Sequence, residues 1–312
     1  MNITKPVKKI LVVKLGAMGD IVQATGPFTA IRSHHLDSHI TLLTTKKYIN
    51  FAKSGKWFDD IWIDERPTWF DLQGWVKLIK RLHNHNIYRV YDLQTSDRTA
   101  IIFHLLRFGK KPEWSGSVFG CSHRHINPNR NLMHTIERQA EQLAVADIHN
   151  VPPPSFDCIE ASSIRFGLSK PYVLLVPGGS AHRLNKRWPT KYYAELALRL
   201  ASKNILPVVI GHQSETEDAK YISLVCSKSK DLTNKTSMID IIALARQAAG
   251  AVGNDTGPMH VIAASGTPSL AIYSHASDPQ ICGQRGSNVN IIRQRSLENL
   301  SVDEVEASLQ LR

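Results

Sequence analysis

The feature that most constrains the fold is a repeated alternation of short apolar segments with helical segments. In the first half, strands are predicted at 10–13, 40–44, 60–63 and 88–93, and helices at 21–33, 75–83 and 134–146. The second half repeats the alternation, with strands predicted at 172–176, 206–210, 251–253 and 269–273. Strands that alternate with helices indicate parallel sheets that are covered by helices on both faces.

A proline-rich segment separates the two halves. Residues 151–154, Val-Pro-Pro-Pro, are incompatible with regular helix or a central strand. A chain of 312 residues is also long for a single core. The sequence therefore predicts an α/β fold with two Rossmann-like domains, residues 1–160 and 161–312, whose parallel sheets face a central cleft.

Charge and composition narrow the range of partners. The net charge of +11 favours an anionic partner such as a phosphate, an acidic glycolipid or a membrane surface. The basic residues are scattered rather than clustered, which argues against nucleic acid. No apolar run approaches the roughly 18 residues that a bilayer span needs, and the four cysteines are far apart. We therefore expect a cytoplasmic protein with reduced thiols.

The most informative loop, residues 253–260, follows a predicted strand and reads Gly-Asn-Asp-Thr-Gly-Pro-Met-His. Pro258 fits a helix start, and the N–H groups and dipole of a helix start suit a phosphate. Asp255, Thr256 and Gly257 would form this phosphate loop, and His260, in the first turn of the predicted helix, could reach the same ligand. The alternative is that Asp255 or Thr256 only caps the helix.

A second loop follows the strand at 172–176. Gly179 and Ser180 belong to a glycine-containing turn that would let the backbone approach a diphosphate, and Lys186 would neutralise charge on a leaving group. The alternative is a solvated basic loop.

Two carboxylates stand at predicted strand-to-helix turns. Asp20 follows Gly16-Ala17-Met18-Gly19, which is not a dinucleotide fingerprint. It suits a general base, or else a helix cap. Glu215 suits the ribose hydroxyls of a nucleotide, or else it begins a helix.

Together these segments resemble the bacterial lipopolysaccharide heptosyltransferases, glycosyltransferase family 9. The matching segments occur in the family's order over most of the chain: KLGAMGDI at 14–21, KRWP at 186–189, GHQSE at 211–215 and DTGPMH at 255–260. The last is the most specific of the four.

The resemblance implies the GT-B fold and an inverting glycosyl transfer that needs neither a metal nor another cofactor. The second domain would bind a nucleotide sugar, typically ADP-heptose, and the first an anionic glycolipid acceptor. By position, Asp20 looks like the catalytic base, Lys186 like the lysine that stabilises the diphosphate, and Glu215 like the nucleotide-binding acid. The acceptor side would include Gly19, Asp97 and Arg98. Peripheral contact with the inner membrane would suit a lipid-linked acceptor.

Two other functions fit the same segments. One is a GT-B glycosyltransferase that uses another nucleotide sugar in capsule or O-antigen assembly. The other is a non-catalytic protein that binds nucleotide sugars. Product formation from a labelled donor separates an enzyme from a binding protein, and the donor that is consumed separates the two enzymes.

Overall fold

The computed structural model describes residues 7–68, 70–107, 109, 111–179 and 184–312. It divides into two compact units, an N-terminal unit of residues 1–153 and a C-terminal unit of residues 154–312. The division lies within the proline-rich segment, a few residues before the boundary expected between 160 and 161.

The described part of the N-terminal unit forms one parallel six-stranded sheet in the order β3-β2-β1-β4-β5-β6. Its strands are β1 (Lys9–Val13), β2 (His39–Thr44), β3 (Asp60–Ile63), β4 (Arg89–Asp92), β5 (Glu113–Gly116) and β6 (His123–Arg124). Its helices are α1 (Met18–Gln23), α2 (Thr25–His34), α3 (Ile49–Ser54), α4 (Leu72–Asn84), α5 (Asp97–Leu106) and α6 (Thr135–Ala144).

The helix predicted at 21–33 is divided in two. Helix α1 ends before Ala24, and α2 starts again with Pro27 in its first turn. Proline is tolerated there because the first N–H groups of a helix have no intrahelical partner. The break leaves α1 as a short helix directly after the β1 loop.

The described part of the C-terminal unit repeats the plan, with the parallel order β12-β11-β10-β7-β8-β9. Its strands are β7 (Tyr172–Val176), β8 (Leu206–Val209), β9 (Lys230–Asp231), β10 (Gly250–Asn254), β11 (Ser269–Ser274) and β12 (Val289–Gln294). Its helices are α7 (Thr190–Ser202), α8 (Thr216–Val225), α9 (Met238–Gln247), α10 (Gly257–Ala264), α11 (Pro279–Cys282) and α12 (Val302–Ser308).

Both sheets have the strand order of a doubly wound Rossmann fold. The order reverses between β1 and β4 in the N-terminal unit and between β7 and β10 in the C-terminal unit. Ligands of such sheets bind beyond the carboxyl ends of the strands at this reversal. The loops after β1, β4, β7 and β10 are therefore where the chemistry is expected. In the described ranges, no helix is both long enough and apolar enough to cross a bilayer.

A partly buried histidine makes the stability of the N-terminal unit depend on pH. His35 Nε2 and the Tyr91 hydroxyl are 2.8 Å apart, and Arg89 also donates to that hydroxyl. Burial, together with the charges of His34, Arg89, Lys8 and Arg32, lowers the pKa of His35 from 6.5 to about 4. Since the folded pKa lies below the unfolded one, only the unfolded chain gains a proton between these pH values.

We expect stability to fall as the pH drops from about 6.5 towards 4. His35 is partly exposed, so we expect a loss of roughly 1–2 kcal/mol in the free energy of unfolding. Urea titrations at pH 7 and pH 5 measure it. His35→Gln should lose less between the two pH values, whereas His149→Gln, which removes an exposed histidine elsewhere in the same unit, should behave like the unsubstituted protein. If His35→Gln lost as much stability between pH 7 and pH 5 as the unsubstituted protein, His35 would not be the cause of the pH dependence.

Candidate active site

Three loops of the C-terminal unit enclose a cavity of about 300 Å³. They follow β7, β8 and β10, which are adjacent in the sheet. The lining includes Gly178, Gly179, Gly211, Glu215, Asp255, Thr256 and Gly257. The structure thus gathers most of the residues that the sequence predicted for donor binding. Ser180 lies outside the described residues.

Lys186 and Asp255 form an ion pair beside this cavity. Lys186 Nζ lies 2.9 Å from Asp255 Oδ2, and both side chains are largely buried. Burial would raise the pKa of Asp255, but its hydrogen bond with Lys186 holds that pKa below its ordinary value. Asp255 is therefore ionised at neutral pH and fixes the Lys186 ammonium. The interpretation of Lys186 as part of a solvated basic loop does not describe this contact.

Helix α10 begins at the cavity. Thr256 is its N-cap residue, but its side chain makes no capping hydrogen bond. The Thr256 hydroxyl is buried, and the described residues provide it with no hydrogen-bond partner. The first turn of a helix also presents backbone N–H groups that lack intrahelical partners. A buried hydroxyl and a helix start at one cavity are well suited to a phosphate oxygen.

Two glycines allow Glu215 to pack between neighbouring loops. A Cβ atom at Gly178 would lie 3.0 Å from Glu215 Cδ, and one at Gly211 would lie 2.8 Å from Glu215 Cβ. Glu215 accepts a hydrogen bond from the backbone N–H of His212 at 2.8 Å and another from the Ser214 hydroxyl. The carboxylate therefore stabilises a helix start, as the alternative interpretation expected, while it also lines the cavity. Its contact with ribose stays a prediction.

Asn254, for which no role was predicted, connects these loops. Its Oδ1 accepts hydrogen bonds from the Trp188 N–H at 2.9 Å and the Tyr193 hydroxyl at 3.2 Å. Its Nδ2 donates to the carbonyls of Pro177 at 2.7 Å and Gly178 at 3.0 Å. The side chain is fully buried. The only signal in the sequence is an amide at the end of an apolar strand.

Asn254→Ala is expected to lower the free energy of unfolding by roughly 3 kcal/mol or more. It removes four hydrogen bonds and leaves buried donors and acceptors unpaired. Chemical denaturation measures the change. The control is Asn290→Ala, an exposed amide on β12, which should change stability by less than about 0.5 kcal/mol. Similar values for the two variants would show that the Asn254 bonds contribute little.

In the N-terminal unit, Asp20 lies in the third position of α1, directly after the β1 loop. Its Oδ2 accepts a hydrogen bond from the backbone N–H of Ala17 at 3.0 Å. Gly16 has φ +127°, and a Cβ atom there would lie 2.9 Å from Tyr48 Cε2. The loop thus needs a glycine to pass Tyr48, and Asp20 both caps the helix and remains partly exposed.

A buried polar network joins the loops after β1 and β4. Lys14 Nζ donates to the carbonyl of Leu93, and the Leu15 N–H donates to Gln94 Oε1, each at 2.9 Å. Burial lowers the pKa of the Lys14 ammonium, and the carboxylates of Asp20 and Asp92 oppose that shift. Burial also raises the pKa of Asp92 to about 6. The network holds the Asp20 loop against the neighbouring strand end.

The residues predicted for the acceptor side differ in their exposure and in the contacts that they make within the unit. Asp97 is exposed at the start of α5, and Gly19 lies beside Asp20 in α1. Arg98 instead forms a bidentate pair with the buried Asp64, at 2.6 and 2.7 Å, and its guanidinium lies over the Trp75 ring. Arg98 therefore connects two loops of the unit. Its role with an acceptor, like those of Gly19 and Asp97, stays a prediction.

The comparison with known families decides the classification. Residues 75–310 match the sequence profile of glycosyltransferase family 9 (heptosyltransferase). The chain belongs to glycosyltransferase family 9. The resemblance inferred from its four segments is thereby confirmed, and the chain is a glycosyltransferase.

Two heptosyltransferases that are similar in sequence support the assignment to this family. The chain is 22% identical to the lipopolysaccharide core heptosyltransferase OpsX of Haemophilus influenzae over 288 residues, 87% of this chain and 80% of that one. It is 30% identical to lipopolysaccharide heptosyltransferase 2 of Escherichia coli over 120 residues, 36% of this chain and 34% of that one.

Solved structures of family members share the fold. The E. coli ADP-heptose lipopolysaccharide heptosyltransferase II has a TM-score of 0.80 and 20% identity, covering 96% of this chain and 97% of that one. The E. coli heptosyltransferase WaaC with ADP has a TM-score of 0.75 and 19% identity, covering 96% and 98%. The predicted GT-B class, with two Rossmann-like domains, is confirmed.

Proposed function

We propose that this glycosyltransferase moves heptose from ADP-heptose to an acceptor in the lipopolysaccharide core. The observation that carries the proposal is the cavity where Lys186, Asp255 and the start of α10 meet. We infer the sugar, the nucleotide and the class of acceptor from its relatives, which are lipopolysaccharide heptosyltransferases.

The C-terminal unit would hold the donor. A diphosphate carries negative charge that the α10 start, the Thr256 hydroxyl and the Lys186 ammonium can accept. The glycine loop with Gly179 and Ser180 would let the backbone approach the diphosphate, and Glu215 would accept hydrogen bonds from ribose. Gly257 and His260, in the first turn of α10, complete the donor-binding set.

The reaction would be an inverting displacement without a metal or another cofactor. Asp20 takes the proton from an acceptor hydroxyl as the oxygen attacks the anomeric carbon of the donor. The bond between that carbon and the diphosphate breaks, and Lys186 stabilises the charge that develops on the departing ADP. The attack from the face opposite the leaving group inverts the anomeric configuration.

The N-terminal unit would bind the acceptor. Gly19 and Asp97 belong to the loops after β1 and β4, where the strand order reverses, and Arg98 orders the same edge through Asp64. The net charge of +11 favours an anionic glycolipid. A cytoplasmic enzyme with such an acceptor would work at the cytoplasmic face of the inner membrane as a peripheral protein.

A donor screen by thermal shift tests the proposal. ADP-heptose should raise the melting temperature more than ADP-glucose or UDP-glucose, because only a ligand that binds the folded state stabilises it. Stabilisation by a UDP-sugar alone would favour the capsule or O-antigen alternative. Stabilisation by ADP-heptose without any transfer to a core acceptor would favour a binding protein.

A further inference from the structure

Helix α4 and the loop before it expose large apolar side chains. Phe70 is 94% exposed, Leu72 73% and Val76 51%. The opposite side of the same helix buries Trp75, Leu78 and Leu82 in the core. The helix is therefore apolar on its buried face and again at its exposed beginning. Apolar side chains that cluster on a surface mark an interaction site more often than single ones do.

Basic side chains continue this apolar surface. Lys77 and Lys80 are exposed on α4, and Arg66 is exposed in the preceding loop. Residues four apart on a helix share a face, so Leu72, Val76 and Lys80 lie along one line. Two acids lie nearby: Glu65 is exposed beside Arg66, and Asp71 caps the helix, where it accepts a hydrogen bond from the Gly74 N–H at 2.9 Å. The docking surface, defined as Phe70, Leu72, Val76, Lys77 and Lys80, is thus an apolar tip followed by cations.

The docking surface begins on the side of the sheet where the strands have their carboxyl ends. All strands of the sheet are parallel, so the loops after β1, β3 and β6 all lie on the side where the strands have their carboxyl ends. The docking surface begins after the edge strand β3, and the Arg98–Asp64 pair fixes that loop to the start of α5. Ile126 and Leu132, 72% and 73% exposed, follow the other edge strand, β6. The Asp20 loop follows the central strand β1.

We propose that the docking surface binds an anionic lipid bilayer, with Phe70 and Leu72 in the headgroup region and Lys77 and Lys80 on the acidic headgroups. Charge complementarity selects this partner, because apolar side chains flanked by lysines bind interfaces that carry negative lipid. Ile126 and Leu132 follow β6, the outer strand opposite β3, on the same carboxyl-end side. A bilayer parallel to this side would therefore contact the loops after both outer strands. The inference rests on the proposed function only for its purpose, the delivery of a lipid-linked acceptor.

Vesicle co-sedimentation tests the proposal. The full chain should bind vesicles of phosphatidylethanolamine with phosphatidylglycerol, and bind weakly to vesicles of phosphatidylcholine alone. Phe70→Ser/Leu72→Ser should bind the anionic vesicles roughly tenfold or more weakly, since it removes two apolar side chains. Lys77→Gln/Lys80→Gln should bind more weakly and respond less to added salt. Leu224→Ser, which removes an exposed apolar side chain from α8, is the matched control and should bind normally.

The outcomes separate this inference from the proposed function. Equal binding by Phe70→Ser/Leu72→Ser and the unsubstituted protein, at unchanged melting temperature, would overturn it. With a delipidated, water-soluble core acceptor, this variant should keep the transfer rate of the unsubstituted protein. Loss of that transfer would assign the residues to the acceptor site and overturn the inference. Vesicle binding by a protein that transfers no heptose would leave the inference standing and contradict the proposed function.

Discussion

Replacing Asp20 by asparagine is expected to lower the rate of heptosyl transfer by roughly 10²–10⁴-fold. The amide cannot accept the proton of the acceptor hydroxyl. It keeps an oxygen that can accept the hydrogen bond from the Ala17 N–H, so the start of α1 should persist. ADP-heptose should still raise the melting temperature, because the proposed donor residues are unchanged. Initial rates with a core acceptor, together with the thermal shift, measure both effects.

Asp37→Asn is the matched control for Asp20. It removes an exposed carboxylate in the turn between α2 and β2, at the opposite edge of the same sheet. This variant should transfer heptose at the unsubstituted rate. Turnover by Asp20→Asn close to that rate would remove Asp20 from the mechanism. A parallel loss of folding and activity would instead identify the residue as a helix cap.

Replacing Lys186 by alanine is expected to lower kcat by roughly 10²–10³-fold. The ammonium would no longer stabilise the charge on the departing diphosphate, and the loss should exceed any change in KM. The substitution also leaves the largely buried carboxylate of Asp255 without its cation, which weakens donor binding by repulsion. Steady-state kinetics with varied ADP-heptose separate the two contributions.

A double variant isolates the role of the lysine. In Lys186→Ala/Asp255→Asn the repelling charge is gone, so donor affinity should partly recover while kcat stays low. Lys203→Ala, whose exposed ammonium pairs with Glu306 on the surface, should leave the kinetics unchanged. Recovery of kcat in the double variant would show that Lys186 only neutralises Asp255.

The convergence of the donor loops could be predicted because it follows from topology. The carboxyl ends of adjacent parallel strands meet at one edge, so polar residues after β7, β8 and β10 had to come close together. The detailed contacts could not be predicted in this way. Whether Asp255 caps a helix or pairs with Lys186 depends on two segments that lie far apart in the chain.

Other side-chain contacts also depend on segments that are distant in the chain and could not be predicted. Arg98 has the sequence context of a ligand-binding residue, yet its pairing with Asp64 depends on how the β3 loop packs beside α5. Asn254 connects loops only because Trp188 and Tyr193 lie beside it in the folded chain. Thr190, a residue type that often caps helices, follows the N-cap Pro189 of α7 instead, and its hydroxyl donates to Asp218 from a distant segment.

Mass spectrometry and NMR of the product test the proposed heptosyl transfer. The purified protein is incubated with ADP-heptose and a lipopolysaccharide core acceptor that lacks the heptose. We expect an acceptor heavier by one heptosyl residue, stoichiometric release of ADP, and an anomeric configuration inverted relative to the donor. An unchanged acceptor in the presence of bound ADP-heptose, or a product with retained configuration, would contradict it.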